Sequence, residues 1–147
     1  MEIEPKKDFV KLTTDVLVLQ EVVDLVKDNG AGAITTFSGT TRDSFQDKTV
    51  VKLDYESYIP MTEKVLLTSI SETRSKWNLI KVAVYHRLGT VPVGENSVII
   101  AISSVHRKES LNAVEWLINQ LKENAPIWKK EIYSDGSEWK ENKENKH

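Results

Sequence analysis

At 147 residues and a net charge of −2, the chain has room for one domain with a real core, and no overall charge marks it as a nucleic-acid or membrane-surface binder. Hydrophobic residues (39%) and charged residues (29%) are ordinary for a globular protein, and no apolar run approaches the length of a membrane span. The chain has no cysteine, which excludes disulfides, thiolate metal sites and any cysteine nucleophile or persulfide carrier; with no signal peptide visible after Met1, a cytoplasmic setting is expected.

Strands and helices alternate along the chain. Phe9 to Leu12 reads as a first strand. Leu19, Val22, Val23 and Val26 fall at i, i+3, i+4 and i+7, one face of an amphipathic helix. Asn29-Gly30 supplies favoured C-cap chemistry behind it. Ala33 to Thr41 and Val50 to Tyr58 are β-rich, joined by a polar loop over Arg42 to Thr49. In the second run Val51, Leu53 and Tyr55 alternate with Lys52, Asp54 and Glu56, as in a half-exposed strand.

Pro60 suits the first turn of the next helix, with Met61, Val65, Ile70 and Trp77 as its expected buried stripe. Ile80 to Tyr85 is a strand. Val98 to Ile102 is apolar at every position, which predicts a central strand covered on both faces. The helix after His106 turns Leu111, Val114, Leu117, Ile118 and Leu121 to the core, and Pro126 stops it. Ile127 to Tyr133, Asp135-Gly136 and Ser137 to Trp139 predict a terminal hairpin. Trp77, Trp116 and Trp128 are expected in the core. The whole, residues 1–147, reads as a single α+β domain with three helices on a mixed or antiparallel sheet. Its ordered part spans about 8–140, and 141–147 form a flexible tail.

Several chemistries can be set aside. GAGAIT at Gly30 lacks the third glycine of a dinucleotide fingerprint, and no Walker-type lysine follows a glycine loop. His86, His106 and His147 have no zinc-ligand spacing, and there is no Gly-x-Ser-x-Gly elbow. What stands out is cationic. His106, Arg107 and Lys108 occupy a helix start, where the macrodipole disfavours each positive charge by about 0.3–1 kcal/mol. Three in succession suggest a compensating anion, since the N–H groups there also bind phosphates; arginine and lysine pointing into water is the simpler alternative. Lys122 lies beside the buried stripe in the last turn of the same helix. Lys129 and Lys130, on a strand, point to opposite faces, with Ile127 and Glu131 on the side of Lys129. Such a site could hold a phosphorylated or carboxylate-bearing ligand, in an enzyme or in a binding module.

Five separated segments then identify a resemblance: GAITTFSGTTRDSF from Gly32, LDYESYIPMTEK from Leu53, VYHRLGTVPVGE from Val84, SSVHR from Ser103 and LKENAPIWKKEIY from Leu121. In this order and spacing they closely resemble the MoaE family, the large catalytic subunits of molybdopterin synthase, over about residues 8 to 140. The resemblance implies an α/β-hammerhead type of fold. It also implies a sulfurtransferase of molybdenum cofactor biosynthesis, which converts precursor Z, a cyclic pyranopterin monophosphate, into molybdopterin. Two sulfurs would arrive as the C-terminal thiocarboxylate of a small ubiquitin-like partner, with no bound cofactor or metal. By position, Lys122 and Lys129 match the family's catalytic lysines. Arg42, His106, Arg107, Lys130 and Glu131 match substrate-contacting positions, and His86-Arg87 is expected to be structural. The resemblance further implies a homodimer carrying a small subunit at each end, a heterotetramer in which some pockets draw on both large subunits. Whether His106 and Arg107 serve their own chain's lysines or a neighbour's stays open at this point.

Overall fold

A strand apolar at every position has to be walled on both faces, and the run at 98–102 organises the architecture in that way. A computed structural model describes the backbone of residues 6–142 and the side chains of 6–139. In chain order its elements are β1 (Asp8–Thr13), α1 (Leu19–Val26), β2 (Ala33–Thr40), β3 (Ser44–Phe45), β4 (Lys48–Ser57) and α2 (Ile59–Lys76). There follow β5 (Lys81–Arg87), β6 (Gly89–Pro92), β7 (Asn96–Ser104), α3 (Arg107–Asn124), β8 (Ile127–Tyr133) and β9 (Glu138–Asn142).

The first sheet has the order β1-β5-β7-β2, with β1 parallel to β5 and the other pairs antiparallel. Ile99 and Ala101 of β7 face α1, joining Leu17, Val22, Val26 and Ala83 in one apolar cluster. Val98, Ile100 and Ile102 face the other way, into the larger cluster built with Leu66 and Ile70 of α2 and Leu117 and Leu121 of α3. Each fully buried isoleucine contributes about 1.5–3 kcal/mol of transfer free energy to this two-sided packing. The second sheet is centred on β4, which pairs antiparallel with β3, β6 and β8; β8 in turn pairs with β9. The architecture is α+β, as the sequence predicts, with one mixed and one antiparallel sheet.

Several local expectations are overturned, each for a physical reason. Helix α1 ends at Val26, with Lys27 extended, so Asn29-Gly30 is not its C-cap. Asp28 makes a side-chain turn instead, its Oδ1 accepting the Gly30 N–H at 2.8 Å. That hydrogen bond is the main reason why the Asp28 carboxyl lies below its ordinary range. The expected loop from Arg42 to Thr49 contains β3 and a two-residue hairpin turn. Gln46 and Asp47 both take positive φ, 48° and 65°, the twist that such turns require.

In β4 the pairing register shifts between Val50 and Lys52. Val50 is therefore buried and Val51 is turned outward, while Leu53 and Tyr55 stay inside. Helix α2 buries Thr62, Leu66, Ser69, Ile70 and Thr73 rather than the stripe through Met61, which is exposed. Its hydroxyl residues can face inward because Thr62 and Thr73 bond to carbonyl oxygens, of Pro126 and Ser69. Leu111 of α3 is exposed, and Ser110 and Ala113 hold the buried face at that end. Trp77, Trp116 and Trp128 are half-buried; Trp77 and Trp116 meet edge to face at 6.2 Å. Strand β6 was not expected from the sequence. Strand β9 runs to Asn142, into the segment expected to be a tail; residues 143–147 lie outside the described residues.

The segment entering β2 is pressed against the chain leaving β7. The Gly32 N–H donates to the Ser104 carbonyl at 3.0 Å, and a Cβ on Gly32 would run into the Val105 carbonyl oxygen. Backbone cannot retreat as a side-chain tip can. Gly32→Ala should therefore lower stability by about 1–3 kcal/mol, read as a lower urea midpoint at unchanged slope. An unshifted midpoint would show that this contact is slack.

Candidate functional site

Where the open ends of β2 and β7 meet β4, β8 and the last turn of α3, the two sheets border a cavity of about 340 Å³. Lys122 reaches it from the last turn of α3. Lys129 and Glu131 reach it from alternate positions of β8, as the two-residue period of a strand requires. Arg42 enters from the segment that follows β2. Four residues expected at the site from sequence, Arg42, Lys122, Lys129 and Glu131, thus line one cavity although 89 positions separate the first from the last.

The backbone beside Arg42 is held firmly. Thr41 is buried, its N–H donating to the Glu95 carbonyl at 3.2 Å and its own carbonyl accepting the Gly94 N–H at 2.9 Å. Glu95 is in turn ion-paired to Arg87 at 2.6 Å, with the Arg87 side chain only 11% exposed. The turn between β6 and β7, locked by that pair, therefore sets where Arg42 stands. Neither Arg42 nor Lys122 forms a hydrogen bond or ion pair with another described residue, so both charges are available to a ligand.

The sequence pattern makes Tyr55 an inward position of a strand and points to no role for it at the site. It stands opposite Lys129 in the β4–β8 pairing and lines the same cavity. Its phenol is pushed above the ordinary tyrosine range, first by burial and also by the negative charge of Glu131; a hydrogen bond with Ser97 acts in the opposite direction. The signal that could have found it is the alternation that puts Leu53 and Tyr55 on one face, read together with the β8 face carrying Lys129 and Glu131. His86 is fully buried, its Nδ1 2.8 Å from the Arg87 carbonyl and its ring edge-on to Tyr55 at 4.9 Å. It packs behind the site, in keeping with the structural role expected for it.

The remaining expected residues stand elsewhere in the chain. His106 and Arg107 line a separate hollow with Gly32, Val105 and Lys108, and share no wall with the lysine cavity. His106 is the N-cap of α3 and makes no side-chain capping bond. Buried hydroxyls hold this helix start instead. Ser104 Oγ donates to the His106 carbonyl at 2.6 Å, Ser110 Oγ donates to that of Arg107 at 3.3 Å, and Thr35 and Ser110 share a 2.8 Å bond. The first N–H groups of α3 have no side-chain acceptor from the cap residue, which suits an anion. Lys130 lies on the opposite face of β8, 3.4 Å from Glu138, so it cannot join Lys129 in the cavity.

An α+β protein with a cation-lined cavity between two sheets is the class that these features define. The family model described as MoaE protein matches residues 12–124, and the chain belongs to that family. Among curated relatives, the molybdopterin synthase catalytic subunit 1 of Aedes aegypti is 53% identical over 141 residues, covering 93% of this chain and 91% of the relative. The catalytic subunit of Homo sapiens is 50% identical over 144 residues, 97% of this chain and 77% of the relative. That of Arabidopsis thaliana is 56% identical over 122 residues, and the chain spans 62% of its length.

Among solved structures, the molybdopterin synthase of Staphylococcus aureus superposes with a TM-score of 0.84 at 32% identity, over 89% of this chain and 95% of that one. A complex of subunits 1 and 2 of the molybdopterin-converting factor from Helicobacter pylori contains a chain of the same fold. Its TM-score is 0.73 at 22% identity, over 94% of this chain and 92% of that one.

A titration checks the environment of Tyr55. Because the folded protein holds this proton more tightly than the unfolded chain does, its contribution to stability is complete below the ordinary tyrosine range. That contribution is lost as pH rises through the raised value. Phenolate absorbance should show a late-ionising tyrosine that Tyr55→Phe removes. A titration in which all four tyrosines ionise together would contradict the buried setting.

Proposed function

We propose that this chain is the catalytic subunit of a molybdopterin synthase, a sulfurtransferase that converts precursor Z into molybdopterin with sulfur delivered by a small ubiquitin-like partner. One observation carries the reading: Lys122 from a helix end and Lys129 from the following strand converge, with Arg42, on a single cavity. A site for binding an anion needs positive charge but has no need of two lysines from different elements beside one reacting group. The chain has no cysteine, so sulfur has to be brought to it, in keeping with a partner whose thiocarboxylate tail enters the cavity.

In this reading the tail's thiocarboxylate sulfur attacks a side-chain carbon of the pterin. The bond from that carbon to its oxygen substituent breaks, the oxygen leaves with a proton, and the sulfur now joins pterin and partner in an acyl-linked intermediate. Water then adds to the acyl carbon and the carbon–sulfur bond breaks. Sulfur stays on the pterin, and the partner leaves with a C-terminal carboxylate. Lys122 and Lys129 stabilise the negative charge that develops on the acyl oxygen and assist proton transfer, and a second loaded partner repeats the step. Arg42 contacts the substrate. His106 and Arg107 hold a phosphate at the start of α3, and Lys130 plays a lesser part from the far face of β8. The assembly is a homodimer with one small subunit at each end, in which the hollow at His106 and Arg107 can serve a neighbouring copy's cavity. The described residues contain no helix long and apolar enough to cross a membrane.

Single-turnover reconstitution tests the reading. The chain, a partner bearing a C-terminal thiocarboxylate and precursor Z should yield dithiolene, followed by oxidising the pterin to a fluorescent derivative. Lys122→Ala should lose about 100-fold or more of the rate, the scale of an electrostatic or acid–base residue, yet still bind the partner. Wild-type turnover in that variant would sink the assignment. Arg107→Ala should weaken precursor Z binding in calorimetry by about tenfold, with partner binding unchanged. Equal substrate affinities for variant and parent would remove Arg107 from the site.

A further inference from the structure

Two consecutive residues of β7, Ser97 and Val98, both line the lysine cavity, which a regular strand forbids because neighbours point to opposite faces. A bulge allows it. Gly39 pairs with Val98 and Thr40 with Asn96, so Ser97 is the extra residue of β7, turned inward beside its neighbour and only 5% exposed. Its Oγ donates to the Gly39 carbonyl at 3.1 Å. A serine hydroxyl has a single proton, so the hydrogen bond between Ser97 and Tyr55 must run from the phenol to the serine oxygen. The Tyr55 ring is itself buried and braced edge-on by His86. Its hydroxyl therefore has a set place in the cavity wall, on the strand position opposite Lys129.

The proposed reaction has a use for such a group. When water adds to the acyl carbon, one of its protons leaves through the lysines and the carbonyl electron pair moves onto the oxygen. The pair returns as the carbon–sulfur bond breaks, with sulfur departing as a thiolate on the pterin. A lysine that carries a proton is uncharged for part of this step, whereas a donor that keeps its proton serves throughout. Burial keeps the Tyr55 phenol protonated, helped by the negative charge of Glu131, whose buried Oε1 has no hydrogen-bond partner among the described residues. We propose that Tyr55 is a further catalytic residue of this reaction, its O–H turning from Ser97 to donate a hydrogen bond to the acyl oxygen as negative charge develops there. A hydrogen bond to an anion is roughly twice as strong as one between neutral groups, so the exchange of partners favours the charged state alone. Tyr55 thus acts on the rate and not on binding. This role rests on the sulfur-transfer reading above and adds a residue to it.

Tyr55→Phe removes the hydroxyl and keeps the ring against His86. The full chain is reconstituted in single turnover with saturating thiocarboxylate-bearing partner and precursor Z. The variant's rate should fall about tenfold, the scale of one hydrogen bond to a charged group, with both affinities at the parent's values. The parent's rate in Tyr55→Phe would overturn the proposal, as would a loss confined to binding. A second probe separates a donor from a packing role and does not depend on how the phenylalanine variant folds. 3,5-Difluorotyrosine placed at position 55 keeps the hydroxyl but makes it acidic enough to ionise below the lysines. It should support turnover at low pH, then drop to the Tyr55→Phe rate or below at a pH where the parent is fully active, because an ionised phenol cannot donate. The titratable groups around it, His86 from β5, Lys129 and Glu131 from β8, Lys122 from α3 and Arg42 after β2, are the same in both proteins. A difference between the two profiles therefore belongs to Tyr55, and superimposable profiles would overturn its role as donor. No turnover in the parent removes the sulfur-transfer reading and this role with it, whereas undiminished turnover in Tyr55→Phe removes this role alone.

Discussion

The burial of β7 on both faces is the constraint from which the rest of the architecture follows. A strand carrying Val98 to Ile102 without a polar side chain cannot leave either face to water, so α1 must cover one side and α2 with α3 the other. Its own N–H and C=O groups must also be paired inside, which requires β5 and β2 as flanking strands. Once those strands are in place, their ends mark the rim against which the second sheet closes. The cavity lies at that rim.

The second sheet brings Tyr55, Lys129 and Glu131 to the cavity. β4 and β8 run antiparallel for most of their length, and their shared face presents Leu53, Tyr55, Lys129 and Glu131 to the cavity while Lys130 goes to the other side. The register shift at Val50 matters because a one-residue slip exchanges the two faces of a strand. With Val51 carried outward, Leu53 and Tyr55 keep their inward orientation and a second apolar residue, Val50, is buried. Arg42 depends on a different device, the pairing of Thr41 with Gly94 and Glu95, which the Arg87–Glu95 ion pair ties to the end of β5. Residues far from Arg42 in sequence thereby help to set where that cavity cation stands.

The two cationic regions differ in character. The lysine cavity lies between the two sheets and contains an acid, whereas the hollow at the start of α3 is formed by exposed residues alone and held in shape by serine and threonine hydroxyls. Grouped in sequence as one cluster from His106 to Glu131, they stand at opposite ends of the same helix, about 25 Å apart along an 18-residue axis. In the proposed enzyme this separation divides the labour, with phosphate held at one end of α3 and the sulfur chemistry run at the other.

Much was legible in the sequence alone. The short continuous apolar run at 98–102, rich in β-branched residues, pointed to a central strand. Pro126 determined where α3 stops, and the two-residue period determined that Lys129 and Lys130 part company. Gly136, with a φ of 84°, closes the hairpin that Asp135-Gly136 predicted. Tertiary structure decided the rest, because it depends on partners distant in the chain. The inward faces of α2 and α3 are set by hydroxyls that find carbonyl or hydroxyl acceptors, which no apolar periodicity records. The inclusion of Tyr55 beside Lys129 depends on which strand lies next to β8. The separation of Arg107 from Lys122 depends on the length of a rigid helix, and the isolation of Glu131 on a cavity that exists only when both sheets have closed. Local pattern determines the elements; pairing across the chain determines which side chains share a space, and a site is a shared space.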